Sequence, residues 1–177
     1  MSSSGGRERD RDSDGRARNA RPRDRLGRPL PIGRVGIDRV PDDLDLPPEV
    51  ALCWAQDSLN RGYAFTAHEV LESAWKSRPG EESQLWQGLA QLAVGITHVQ
   101  RRNPKGAIVL LERAAVRIGH SRSAAPHRID STGLVRYAEE LMDLLRREVE
   151  PTPGRLVPRL THAQAGEATG EPRSNGH

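Results

Sequence analysis

Apolar and polar positions follow a helical period through the middle of the chain and no period at its ends. Between residues 66 and 76, Ala67, Val70, Leu71, Ala74 and Trp75 fall on one stripe of an amphipathic helix. Over residues 82–101, Leu85, Leu89, Leu92, Ile96 and Val99 share one side, with Trp86, Ala90 and Ala93 beside them. So wide an apolar surface predicts the central helix of a bundle. Gly88 and Gly95 add a stripe of small residues to it, where a neighbouring backbone can come close. Three more helices are predicted. One opens at Pro47 and Pro48, turns Val50, Trp54 and Leu59 to the core, and stops near residues 60–62. One covers 105–118, with Asn103 as cap and Pro104 at its first position. The last covers 132–149, with Leu134, Ala138, Leu141 and Leu145 in register. Thr66, with Glu69 at capping-box spacing, marks the expected start of the second helix. The expected fold class is all-α: a small bundle of about five helices, mostly antiparallel because the earlier links are short.

The ends read differently. Residues 1–25 are an Arg/Asp/Gly-rich arm with almost nothing apolar to bury, and are expected to be disordered. Residues 26–46 space Leu30, Ile32, Val35, Ile37 and Val40 among Gly and Pro, which suits an extended arm. This arm is expected to lie along the bundle domain, residues 47–149, and to bring Arg28 or Arg34 toward Glu69 or Glu72. Residues 150–177 are Pro-, Gly-, Thr- and Ala-rich and are expected to form a disordered tail.

Charge sharpens this division. Residues 1–40 hold 11 Arg against 6 acids, whereas residues 46–150 hold 13 charges of each sign. The basic character therefore sits in the arm, which argues against a nucleic-acid groove on the bundle. Arg outnumbers Lys 25 to 2, a bias that lowers the information in any one Arg. The single Cys53 excludes an internal disulfide and reads as a small buried residue of a protein in a reducing compartment. No apolar run is long enough to span a bilayer, and the first 30 residues lack the apolar centre of a signal peptide, so a cytoplasmic location is expected.

The run LNRGYAFTAHEVLESAWK, followed by LWQGLAQLAVGITHVQRRNPKGAIVLLERA, resembles a helical family known as domain of unknown function 309. The matching positions are Ala67, His68, Glu69, Glu72 and Trp75, then Gln87, Gly88, Leu89, Gln91 and Ala93, then Asn103, Gly106 and Ala107. Arg102 stands where the family pattern often has Gly before the Asn. The arm sequence NARPRDRLGRPLP also resembles a segment that precedes this domain in some bacterial members. The resemblance implies a helical fold over about residues 48–120 and assigns no activity.

At about 100° per residue, His68, Glu72 and Lys76 line up on the second helix, with Glu69 on the outer flank. Gln84, Gln87, Gln91 and His98 form a second polar line on the third. If the two lines meet, they make a polar seam of His68, Glu69, Glu72, Gln87, Gln91 and His98. In one reading the seam belongs to a binding or interaction module. Glu69 then caps its helix, Glu72 pairs with Lys76, and the histidines satisfy groups at the core edge. Its partner would be a protein, a small molecule or a second copy of the chain. In the other reading His68, Glu72 and His98 hold a divalent metal, with Glu69 as base, in a small hydrolase. His-Glu-Val-Leu-Glu departs from the H-E-x-x-H zinc motif because Glu72 replaces the second histidine. No other cofactor is evident. A third reading has the arginine arm track nucleic-acid phosphates, although its interleaved Asp residues and lack of aromatics stand against that.

Overall fold

The computed structural model describes residues 22–31, 33–37, 40–41, 44–121 and 125–162. Five α-helices follow in order: α1 (Pro48–Asn60), α2 (Ala64–Lys76), α3 (Ser83–Gln100), α4 (Pro104–Gly119) and α5 (Ser131–Arg146). Short 3-10 turns lie at Pro126–Arg128 and Pro153–Leu156. Among the described residues there is no strand, only isolated bridges at Arg23–Pro29 and Ile129–Thr161. Each helix packs chiefly on its neighbours in sequence.

α3 is the centre, as its wide apolar surface predicts. Leu85, Trp86, Leu89, Leu92 and Ile96 are each at most 1% exposed. The start of α2 meets the end of α3, where Gln100 Nε2 donates to the Gly62 carbonyl at 3.0 Å. The end of α2 meets the start of α3, where Trp75 Nε1 donates to Ser83 Oγ at 3.0 Å. α2 and α3 are therefore antiparallel. So are α3 and α4: a Cβ placed on Gly88 would stand 2.8 Å from Ile118 Cγ1, and one on Gly95 3.0 Å from Leu111. The glycine stripe admits α4. Asn103 caps α4 as expected, accepting from the Gly106 amide at 3.0 Å, and Asp130 caps α5 in the same way.

Several expectations need correction. α2 begins at Ala64, with Tyr63 in the cap position and no side-chain cap, so Thr66 is not the N-cap and Glu69 lies in the second turn. The positive φ of Gly62 turns the chain early enough for the helix to start there. On α1 the buried face is Ala51, Leu52, Ala55, Ser58 and Leu59, whereas Val50 and Trp54 are exposed, as is Cys53. The buried face thus mixes two leucines with small residues, Ala51, Ala55 and Ser58. The packed domain also runs past residue 149. Leu160 is buried, its amide donates to Gln56 Oε1 at 2.9 Å, and its carbonyl accepts from the Asp130 amide at 3.0 Å. Residues 1–21 and 163–177 lie outside the described residues.

Arg102 adopts a left-handed φ of 58° in the turn between α3 and α4, a conformation that explains why Gly suits this position. Arg102→Gly is expected to raise the unfolding free energy by up to about 1 kcal/mol. Gly88→Ala should lower it by about 1–3 kcal/mol, because the added methyl meets the α4 backbone as well as Ile118. Paired chemical-denaturation curves check both signs.

Candidate functional site

α2 carries the His–Glu line. Its spacing brings His68 Nε2 to 3.2 Å from Glu72 Oε2 and Lys76 Nζ to 3.0 Å from Glu72 Oε1. The hydrogen bond from His68, helped by Lys76, outweighs partial burial and brings the Glu72 pKa down to about 2. His68 Nδ1 is buried with no hydrogen-bond partner. The ring itself lies tilted against Phe65, with centroids 5.8 Å apart.

Phe65 is where the arm lands. Gly27, at φ 71°, presses so closely on the ring that a Cβ there would stand 2.3 Å from it. The Arg23 and Arg101 guanidinium groups both lie over the ring, at 5.3 and 5.7 Å. Arg101 Nε donates to the Leu26 carbonyl at 2.7 Å, and Asp24 Oδ1 accepts from the Leu26 and Arg28 amides. Farther along, Ser73 Oγ donates to the Leu44 carbonyl and Arg78 to the Leu46 carbonyl. The arm therefore lies on the bundle as expected. Arg28 sits close enough to Arg101 to add to the effect of burial in lowering the Arg101 pKa, and Arg34 is exposed. Glu72 is taken by His68 and Lys76 rather than by either arm arginine.

The α3 line turns the other way. Gln87 Oε1 accepts from Arg117 Nε of α4 at 2.8 Å. His98 Nδ1 accepts from Asn103 Nδ2 at 2.8 Å, beside Gly106 at the start of α4. Burial, with a smaller effect from Arg101, lowers the His98 pKa and favours the neutral ring that this bond needs. Gln91 shares the row, and its Oε1 is buried without a partner. Gln87, Gln91 and His98 thus flank the glycine stripe filled by α4, whereas α2 meets α3 at Gln100 and near Trp86. Gln87 and His98 engage α4 and its cap rather than the His68–Glu72 pair of α2. Among the described residues no group of three or more His, Cys, Asp or Glu is placed to hold a metal ion, so His68, Glu72 and His98 do not form a ligand set.

A third arrangement escaped sequence reasoning. His127 Nδ1 lies 3.2 Å from Glu49 Oε1 and Nε2 lies 3.0 Å from Glu82 Oε2. Glu82 also accepts from Trp86 Nε1 at 3.0 Å, and Arg78 lies over that indole. The bond from Trp86, followed by His127, lowers the Glu82 pKa. His127 and Arg128 both take left-handed φ values, 56° and 59°, to reach this position. The carboxylates occupy opposite ring nitrogens, and the nearby hydroxyls are engaged, Ser77 with the Ala74 carbonyl and Ser83 with Trp75. This is a clamp joining α1, α3 and the link before α5, with no aligned nucleophile among the described residues. Its members lie far apart in sequence, so no spacing rule announces them.

The fold and this surface define an antiparallel helical bundle whose second helix carries a His–Glu line beside the arm-covered Phe65. Residues 54–110, from α1 into α4, match the model of a family described as Domain of unknown function (DUF309). Comparison with curated proteins and with solved structures returns no match. Among the described residues no helix is long and apolar enough to cross a membrane.

Because the Glu72 pKa lies below its ordinary value of 4.5, the ionised carboxylate stabilises the fold above that pH and loses its effect as pH falls toward about 2. Glu72→Gln should cost about 1–2 kcal/mol at neutral pH after solvent screening, a difference that shrinks toward zero in acid. Unfolding free energies measured across that pH range provide the check.

Proposed function

We propose that this protein is a helical interaction module that holds an extended chain along the outer face of α2 and the end of α3. In the described state the chain is its own arm. The observation that carries the reading is the capture of the Leu26 carbonyl by Arg101 while Gly27 packs on Phe65. Ser73 and Arg78 take two further arm carbonyls, and Val40 is buried between these anchor points in sequence. Main-chain carbonyls held by side chains, with pockets for a few residues between, are the pattern of extended-peptide recognition. His68 and Glu72 serve this reading as the wall behind Phe65. A partner in trans would present the same chemistry: a glycine to seat on Phe65, preceded by a free carbonyl for Arg101. The reading includes a cytoplasmic setting, where the exposed Cys53 stays reduced.

Gly27→Val in the full chain tests this, since a β-branched side chain has no room over Phe65 at that φ. Amide exchange should show residues 22–37 released. A synthetic peptide of residues 22–37 should then bind and return the Phe65 and Arg101 NMR signals to their native positions. Adding Arg101→Ala should weaken that binding about tenfold. A released arm with no peptide binding would refute the module.

A further inference from the structure

The turn that covers Phe65 also borders a cleft. We infer that the cleft between the arm turn, the α1–α2 turn, the end of α3 and residues 150–157 binds a small amphipathic organic anion. The inference goes beyond the interaction module, because it needs the arm as a seated wall and does not need the arm to exchange.

The cleft encloses about 620 Å³, within the roughly 300–1,000 Å³ of small-molecule sites. Its apolar lining comes from Leu26, Val99, Leu156 and Val157, which would receive a hydrocarbon or aromatic body. Arg25, Arg61 and Arg102 line it against a single acid, Glu150. These cations are loosely committed. Arg61 meets Asp57 at 3.6 Å with both side chains 62% exposed, and Arg102 meets Glu150 at 3.6 Å with both more than 80% exposed. Exposed pairs of this kind are weak, so an incoming carboxylate, sulfonate or phosphate can displace them. Gln100 closes the wall between α3 and the α1–α2 turn, its Nε2 donating to the Gly62 carbonyl at 3.0 Å.

The test titrates the full chain with 8-anilinonaphthalene-1-sulfonate, which combines a sulfonate, two apolar ring systems and one N–H. A saturable fluorescence rise at one site per chain is expected. Arg25→Ala with Arg61→Ala should weaken binding about tenfold, and so should replacing the probe by neutral N-phenyl-1-naphthylamine. The two arginines are exposed, so their variant keeps the fold. Probe binding that ignores the arginine variant, or a neutral probe that binds equally well, overturns the proposal. Cosedimentation with phosphatidylserine vesicles that is lost in the arginine variant also overturns it, by placing the anion on a membrane surface instead of a free small molecule.

Discussion

Burial of α3 is the constraint around which the molecule is arranged. Five of its large side chains are essentially sealed from solvent, and burying each contributes about 1.5–3 kcal/mol before the entropy of ordering is set against it. α2 covers one flank, and α4 enters the other through Gly88 and Gly95. With both flanks occupied, the polar residues of α3 pair at its borders, Ser83 and Gln100 toward α2 and Gln87 and His98 toward α4. Among the described residues α2 and α3 bring no group of three His, Cys, Asp or Glu together that could hold a metal ion.

The arm follows from a second requirement. A segment of Gly and Pro outside any helix has backbone carbonyls to satisfy wherever it packs. Arg101, Ser73 and Arg78 supply donors at separated points along α2 and the end of α3. Because the bonds go to the main chain, they restrain the arm's path while asking little of its sequence. Gly27 is the exception: its contact with Phe65 leaves no room for a side chain. Interaction surface and cleft are thereby linked, since the same turn that covers Phe65 also places Arg25 and Leu26 on the cleft wall.

How much could be read without the fold depended on the range of the interaction. The helices were legible because their apolar period is a property of consecutive residues. Asn103 as a cap and the glycine stripe as a contact were legible for the same reason. The His68–Glu72–Lys76 line was also legible, since spacing on one helix brings those groups together. The start of α2 was misread because Thr66 and Glu69 match a local cap pattern, while the true start is set by the turn at Gly62. Trp54 was misread because size was taken for burial, whereas the buried face runs through Ala51, Leu52, Ala55, Ser58 and Leu59.

By itself, then, the sequence determined the helical class, the helices and most of their inward faces, and the family segment, all of which rest on short-range periodicity and local motifs. Tertiary structure alone decided which polar rows face each other, that His127 is clamped by Glu49 and Glu82, and that residues 150–162 pack with the bundle. Those outcomes depend on the rotation of each helix about its axis and on contacts across long stretches of chain, such as Gln56 with Leu160. A helical period leaves that rotation open until neighbouring helices compete for the same core.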